Sequence, residues 1–507
     1  MKGILSLLAG FFLLAGTLSA QATPKSDLHH CGVTERSPWI DAYQRGEIAI
    51  PRSLEEMVLP LRIHIVGNND GDGYASWSQL IAALNLMNED FAGSGLSFCI
   101  DGPIDYINNS SYYNHNGTGG GLMMALNNDP DVINCYFVGD PNGACGYYSP
   151  SRDAMAMANN CLGGDDHTWS HEMGHFLSLP HTFSGWEGEL NENGFADLPT
   201  DEPAPFSVNG RQVELADSSN CAVAGDGFCD TPADYISERW GCNFAGEYPD
   251  SLMDPDSNKF IVFGYPIMGY AFDNCVESFS GEQSTAMVVN AMGRGVTYDG
   301  PISEEPANAD EIDLLSPENG DLQPIDEFSV QLTWSPATNA DFYIVQINRT
   351  PIFGLSLHEE FVVYDTTATL SPATNDIEMG IRYYWRIRPV NNCSVVSGVS
   401  GARNFRVTDI ASPVIDSELD AALSIFPNPV VGDQSLRVVG NNLPENTPVQ
   451  LELLSITGQR LVAANSIQLA AGNLNYELPI GNLPSGIYFL RMRQAERLVT
   501  RRVVVTR

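Results

Sequence analysis

The order of apolar and polar positions predicts a sheet with helices laid on it. Leu61-Arg-Ile-His-Ile-Val66 alternates as a half-buried strand does. Ser76-Trp-Ser-Gln79 reads as a capping box, and Leu80, Leu84, Met87 and Phe91 follow at helical spacing. Leu96 to Ile100 and Val132 to Val138 are further strands, and the Asn- and Gly-rich stretch between them reads as a long surface loop. Asp153 to Asn159 is expected as an edge strand lining a cleft. A helix capped by Thr168 follows, with Trp169, Met173 and Phe176 on the side away from His171 and His175. One face can then pack on the sheet while the other opens to the cleft. Phe183 to Tyr265 is loop-like, rich in Gly, Pro, Asp and Asn, and Ser280-Gly-Glu-Gln283 caps a last amphipathic helix that stops near Gly293.

Beyond an acidic, Pro-containing linker at 301–315, residues 316–408 read as an all-β module. Its strand signals are Val330 to Trp334, Phe342 to Asn348, Phe361 to Tyr364 and Tyr383 to Pro389. The pattern resembles a fibronectin type III-like sandwich with Trp334 and Trp385 in its core. After a linker at 409–420 comes a segment, 421–507, that opens on Ser424-Ile-Phe-Pro-Asn-Pro429 and later reads Leu483-Pro-Ser-Gly-Ile-Tyr-Phe-Leu490. These motifs resemble the C-terminal sorting domain of type IX secretion cargo, which implies export with the help of that secretion machinery. The other reading is a second small β-sandwich used for adhesion.

At the other end, Lys2, the apolar run Ile4 to Leu18 and Thr17-Leu-Ser-Ala20 form a signal peptide, residues 1–20. Residues 21–54 read as a pro-segment and 55–300 as the main domain. No later stretch approaches the roughly 20 apolar residues of a membrane span. The chain has 507 residues and a formal charge of −38, from 25 basic and 63 acidic side chains. That balance argues against nucleic acid or an anionic membrane as partner and for a soluble monomer kept apart by its own charge, while the signal peptide implies export. The final segment departs from it, with arginine but no lysine and a net positive charge.

The candidate chemistry lies in Ser170 to Phe183, S-H-E-M-G-H-F-L-S-L-P-H-T-F. His171 and His175 sit one helical turn apart, and His181 follows six residues later. Three neutral imidazoles fill three corners of a tetrahedral zinc site and leave the fourth for water. Glu172, beside a ligand and not itself one, is placed to act as general base.

With Met268 in a downstream turn and Tyr270 two residues on, this constellation resembles the metzincin metalloproteases. The H-T-F after the motif, Gly225-Asp-Gly-Phe-Cys-Asp-Thr-Pro232 and Met268-Gly-Tyr270 ahead of Cys275 are similar to the pappalysin branch. The resemblance covers roughly residues 55–295. It implies a multidomain chain, with an α+β catalytic domain of twisted sheet and active-site helix followed by two all-β sandwich modules. It also implies hydrolysis of protein or peptide substrates. Zinc on His171, His175 and His181 would polarise the scissile carbonyl and bring the pKa of its water toward about 7. Met268 would be the floor beneath the metal, and Tyr270 would stabilise the oxyanion. The family has Gly where Ser178 stands. If that position is left-handed, Ser costs roughly 1–2 kcal/mol more than Gly.

Relatives that cleave beside Arg or Lys use an Asp just before the cysteine after the Met-turn. That position is Asn274 here, with Asp273 next to it, so a broader or shifted preference stays open. Of ten cysteines, Cys393 stands alone in the sandwich and Cys31 alone in the pro-segment. The pairings offered for the rest are Cys99–Cys135, Cys145–Cys161 and Cys242–Cys275, the last from the family pattern, with Cys221 and Cys229 left over. Cys31, followed by Gly32, is a candidate latency switch whose thiolate takes the metal's open corner; an ordinary disulfide or a free thiol is the alternative. The branch carries calcium near the Gly225–Pro232 loop, which makes Asp226 and Asp230 candidate calcium ligands against a solvated acidic turn. Two other functions compete with the peptidase: an inert surface-binding protein that works through its sandwich, and a zinc amidase on non-protein amides.

Overall fold

Apolar runs flanked by turn residues build the central sheet. The computed structural model describes residues 29–506 apart from 32, 34–35, 189–197, 304, 325–328, 355–356, 372–374, 376, 379, 396, 409–421, 432–434, 445–446, 456–459, 481–482 and 495–496. The signal peptide at 1–20 and the linker at 409–420 lie outside the described residues.

The strands of the first part are His29–Cys31 (β1), Met57–Gly67 (β2), Leu96–Ile100 (β3), Asp105–Asn108 (β4), Asn114–His115 (β5), Ile133–Val138 (β6), Asp140–Pro141 (β7), Ala144–Ser149 (β8) and Ala154–Ala158 (β9). The helices are Pro38–Gln44 (α1), Trp77–Phe91 (α2), Ser110–Tyr113 (α3), Gly117–Asn127 (α4), Thr168–Phe176 (α5) and Gly281–Arg294 (α6). The main sheet runs β1-β8-β9-β6-β2-β3, with β4 also on β2. β2, β3, β4, β6 and β9 are parallel, β8 is antiparallel to β9, and β1 adds to β8 in parallel.

Helices α2 and α5 share one core with this sheet. Trp169 of α5 meets Phe137 edge-on at 4.9 Å, Phe91 of α2 meets Phe98 at the same distance, and Met173 and Phe176 are buried with them. Helix α6 has the reciprocal capping box of Ser280 and Gln283 and ends on Gly295 at φ 69°.

Four local expectations differ from what is found. The stretch between β3 and β6 is not one loop: it holds α4, whose glycine-rich start is capped by Asn116 accepting from the Gly119 N–H at 3.0 Å. A side chain at Gly120 would collide with His115 and Tyr147, so the glycines serve close packing there. β9 is not an edge strand, because β8 and then β1 lie outside it. The metal-motif helix is capped by His167, with Thr168 already in its first turn. Ser76 is the N-cap of α2 without a side-chain bond to its own helix; the expected box is replaced by a partner from another module.

Residues 314–408 form two facing sheets. One orders Leu314–Ser316, Val330–Trp334 and Thr367–Leu370; the other orders Asp321–Pro324, Arg403–Thr408, Arg382–Val390, Phe342–Asn348 and Glu359–Val363. Trp334 and Trp385 are buried between them. A second pair of sheets, of three and five strands, begins at Leu423 and closes its own apolar core. The chain is therefore multidomain, with an α/β unit followed by β-sandwiches. Among the described residues no helix is long and apolar enough to cross a membrane.

Cys145 bonds Cys161, Cys242 bonds Cys275, and Cys221 bonds Cys229. The expected Cys99–Cys135 bond is absent. Cys99 bonds Cys393, 294 residues away in the sandwich, and Cys135 is a buried thiol in the middle of the sheet. Counting cysteines domain by domain misses this bridge because the end of β3 abuts the sandwich, where the Ile100 N–H donates to the Asn392 carbonyl.

Candidate metal centre

Helix α5 carries His171 and His175 one turn apart, then stops at Leu177, and the chain turns at Ser178 with φ 74°. This is the left-handed conformation that glycine would take most easily. The serine side chain has partners here: its Oγ accepts from Asn290 Nδ2 of α6 at 3.0 Å and from Ser37 Oγ at 3.3 Å. The turn returns His181 to the two helical histidines.

Each imidazole is held through Nδ1. His171 Nδ1 donates to the Ile267 carbonyl at 2.7 Å, His175 Nδ1 to the Leu179 carbonyl at 2.8 Å, and His181 Nδ1 meets Glu187 Oε1 at 3.3 Å. With their protons on Nδ1, the Nε2 atoms of His175 and His181 face each other at 3.1 Å as lone pairs. Two lone pairs that close repel unless a cation lies between them. A zinc ion with bonds of about 2.0–2.1 Å sets ligand nitrogens about 3.4 Å apart, so the pair fits one. Burial and the neighbouring imidazoles hold His171 well below the usual histidine range, as a neutral ligand requires.

A fourth ligand atom joins them. One donor atom each from Cys31, His171, His175 and His181 lies within 4.8 Å of the others, all four residues buried. Among the described residues no other group of three or more His, Cys, Asp and Glu converges this way. The donor set of three nitrogens and one sulfur suits zinc.

β1 delivers the cysteine by pairing Cys31 with Gly146 and His29 with Ala144. Beyond it, Arg36 Nη2 and Gln44 Nε2 both donate to the Asp226 carbonyl, at 3.0 and 2.9 Å, and Ile40 is buried in the main core. The N-terminal segment thus covers the metal-binding face of α5 and fastens itself on either side of it.

Glu172 is fully buried beside Cys31, and burial pushes its carboxyl up to about 8 against the lowering effect of the Cys31 thiol. Burial and the Glu172 charge push the thiol up in turn. Tyr270 donates its hydroxyl to the Cys31 carbonyl at 3.2 Å, with its ring 5.0 Å from that of His181. Met268 is buried beneath α5, with its sulfur where a side chain on Gly174 would have to go. Gly146 plays the same part opposite Glu172: a Cβ there would lie 2.8 Å from Glu172 Cγ. The two glycines went unmarked in the sequence because their need arises only from elements distant in the chain.

The remaining candidates lie apart from this cluster. Asp273 pairs with Arg239 at 3.0 Å and accepts from the His167 N–H, while Asn274 is exposed. Asp226 is buried and accepts from the Phe228 N–H and Thr231 Oγ1; Asp230 accepts from Ser280 Oγ and the Glu282 N–H at the start of α6. Sequence reasoning passed over Glu214, a buried carboxyl whose Oε1 has no hydrogen-bond partner. Burial, then the charges of Asp226 and Asp234, push it up to about 8.

Known proteins that resemble this chain in sequence point to a class. The chain is 27% identical over 252 residues to an extracellular metalloprotease of Colletotrichum graminicola, covering 46% of this chain and 75% of that protein. It is 25% identical over 308 residues to an extracellular metalloprotease of Pyricularia oryzae, 55% of this chain and 93% of that one. Residues 424–506 match the model of the secretion system C-terminal sorting domain. This chain is therefore exported, with a sorting tail behind a part related to extracellular metalloproteases. A solved Fn3-like protein from Clostridium thermocellum aligns over 21% of this chain and 95% of its own at 16% identity, with a TM-score of 0.16.

Proposed function

We propose that the protein is a secreted zinc endopeptidase of the metzincin type, close to the pappalysin branch, held latent by its own N-terminal segment. The observation that carries this reading is the convergence of Cys31 Sγ with three histidine nitrogens next to the buried Glu172. His171, His175 and His181 would hold the metal, and Cys31 would be the fourth ligand in the latent form. Zinc bound there supplies Lewis acidity for the scissile carbonyl and acidifies water.

The chain's own groups account for the rest. Once the N-terminal segment leaves, Glu172 faces the vacated corner and serves as the base that takes a proton and passes it to the leaving amine. Tyr270, whose hydroxyl now donates to the Cys31 carbonyl, would then donate to a developing oxyanion. The edge of β8 at Ala144–Gly146, which β1 now covers, becomes open to an extended peptide.

Calcium at the loop around Asp226 is part of the same proposal. Glu214 belongs with it, since its buried and partnerless oxygen lies in a neighbourhood of carboxyls that a cation would balance. Asp230 contributes less, because both its oxygens already hold the start of α6.

The test is casein or gelatin digestion by the chain after removal of its N-terminal segment, with a chelator control and the Glu172→Ala variant. Loss of hydrolysis in the variant with zinc still bound is expected. Equal activity in both would overturn the mechanism. A zinc-loaded wild type that cleaves neither protein would favour the amidase or the binding reading.

A further inference from the structure

Helix α2 is tied by a carboxylate at each end: Glu360 of the sandwich holds its start, and its own Asp90 reaches from its last turn to α5. At its start, Glu360 of the sandwich accepts from Ser78 Oγ at 2.8 Å, Ser76 Oγ at 3.1 Å and the Ser78 N–H at 3.3 Å. Gln346 donates to both Ser78 Oγ and Glu360, and Arg386 fixes Gln346 in turn. Near the other end, Asp90 accepts from His167 Nδ1 at 2.9 Å and from Ser170 Oγ, the residue before the first metal-site histidine. The helix that joins the two contacts is 15 residues long, a rod of about 22 Å at 1.5 Å per residue.

The sandwich face that offers Glu360 is buried and not free. Phe342, Ile344, Val390 and Val395 belong to the same core as Trp77 and Leu80, and Trp77 meets Phe342 edge-on at 6.0 Å. Tyr364 accepts from the Ile104 N–H at 2.9 Å, and Cys99–Cys393 closes the joint covalently.

We infer that the first sandwich is a fixed half of the metal-site unit, with Glu360 and Asp90 as positioning residues that hold α5 through α2. A helix N-terminus left bare by its own side chains needs an acceptor, and a carboxylate there is also favoured by the helix dipole. Here the acceptor comes from a module some 280 residues downstream by sequence, so the helix is complete only when the sandwich is seated. The metal-site end of this inference rests on the zinc reading above; the joint itself does not. It also removes this sheet face as a docking surface for an outside ligand.

The test uses the full chain with Glu360→Ala, Glu360→Gln and the paired Cys99→Ala/Cys393→Ala variants. Glu360→Ala is expected to speed amide exchange in residues 77–81 about tenfold, to raise exchange at the start of α5, and to hasten zinc loss to a chelator severalfold. Glu360→Gln, which keeps an acceptor oxygen, should recover most of this. Peptide mapping without reductant should link Cys99 to Cys393, and the double variant should show the sandwich melting ahead of the α/β unit. The inference is overturned if Glu360→Ala alters exchange only within 359–363, if Gln and Ala behave alike, or if Cys99 and Cys393 are not linked. None of these readouts depends on peptide hydrolysis, so failure of the peptidase reading is seen separately.

Discussion

At the scale of single residues, Ser178 shows how a side chain can offset a costly backbone. Its φ of 74° favours glycine, yet its Oγ joins Asn290 of α6 and Ser37 of the N-terminal segment. Glycine there relieves about 1 kcal/mol of backbone strain and loses hydrogen bonds worth about 0.5–1.5 kcal/mol each. Ser178→Gly should therefore lie between the parent's stability and about 2 kcal/mol below it. Both variants remove the acceptor of the buried Asn290 amide, but Ser178→Ala also keeps the strain and should be less stable than the parent by about 1–3 kcal/mol. Melting temperatures of the two variants check the order; an alanine variant as stable as the glycine one contradicts it. Gly174 is tighter still, because a Cβ there would drive into Met268. Gly174→Ala should cost about 1–3 kcal/mol and lower zinc retention, as read by chelator competition.

At the scale of elements, the loop around Asp226 stores acidity. Burial holds Asp226 up to about 7 and Asp234 up to about 6, and burial with neighbouring charge holds Glu214 up to about 8. Unfolded, these carboxyls ionise near about 4. The folded chain thus binds more protons between about pH 4 and pH 8, so this contribution is full below about pH 4 and is lost as pH rises through the folded values. Without calcium the melting temperature should fall from about pH 5 to pH 8, less so in Glu214→Gln. Calcium added to the zinc-saturated protein should flatten the fall by favouring the ionised carboxylates. Identical pH curves with and without calcium would remove the calcium proposal.

How much of each element could be read in the chain follows from where its determinants lie. Helix α5 and its two faces were legible, because Trp169, Met173 and Phe176 against His171 and His175 are local periodicity. So was the α6 cap, a box contained within four residues. The start of α2 was misread because the side chain that completes it, Glu360, lies in another module. Helix α4 hides in glycines that look like a loop until Tyr147 and His115 are packed against Gly120. Cys99 and Cys393 looked unrelated for the same reason, since their pairing depends on a joint between modules.

For the whole molecule, three pieces have separate tasks. The sorting tail takes the chain out of the cell, the sandwich is clamped to the α/β unit, and the N-terminal segment seals the metal-binding face. That seal has two anchors, the Cys31 thiol among the histidines and the Arg36–Gln44 grip on the Asp226 carbonyl. Replacing Cys31 alone should therefore release part of the activity, and removal of the whole segment should release more, by at least about tenfold. Digestion of a fluorescent casein by the three forms measures the difference; a Cys31→Ala chain no more active than the parent speaks against the switch.

The most direct measurement pairs zinc content with hydrolysis in the chain freed of its N-terminal segment, as parent and as Glu172→Ala. One zinc per chain in both forms, with proteolysis lost only in the variant, is the expected result. Zinc-bound protein that cleaves casein equally well with alanine at position 172 would contradict it.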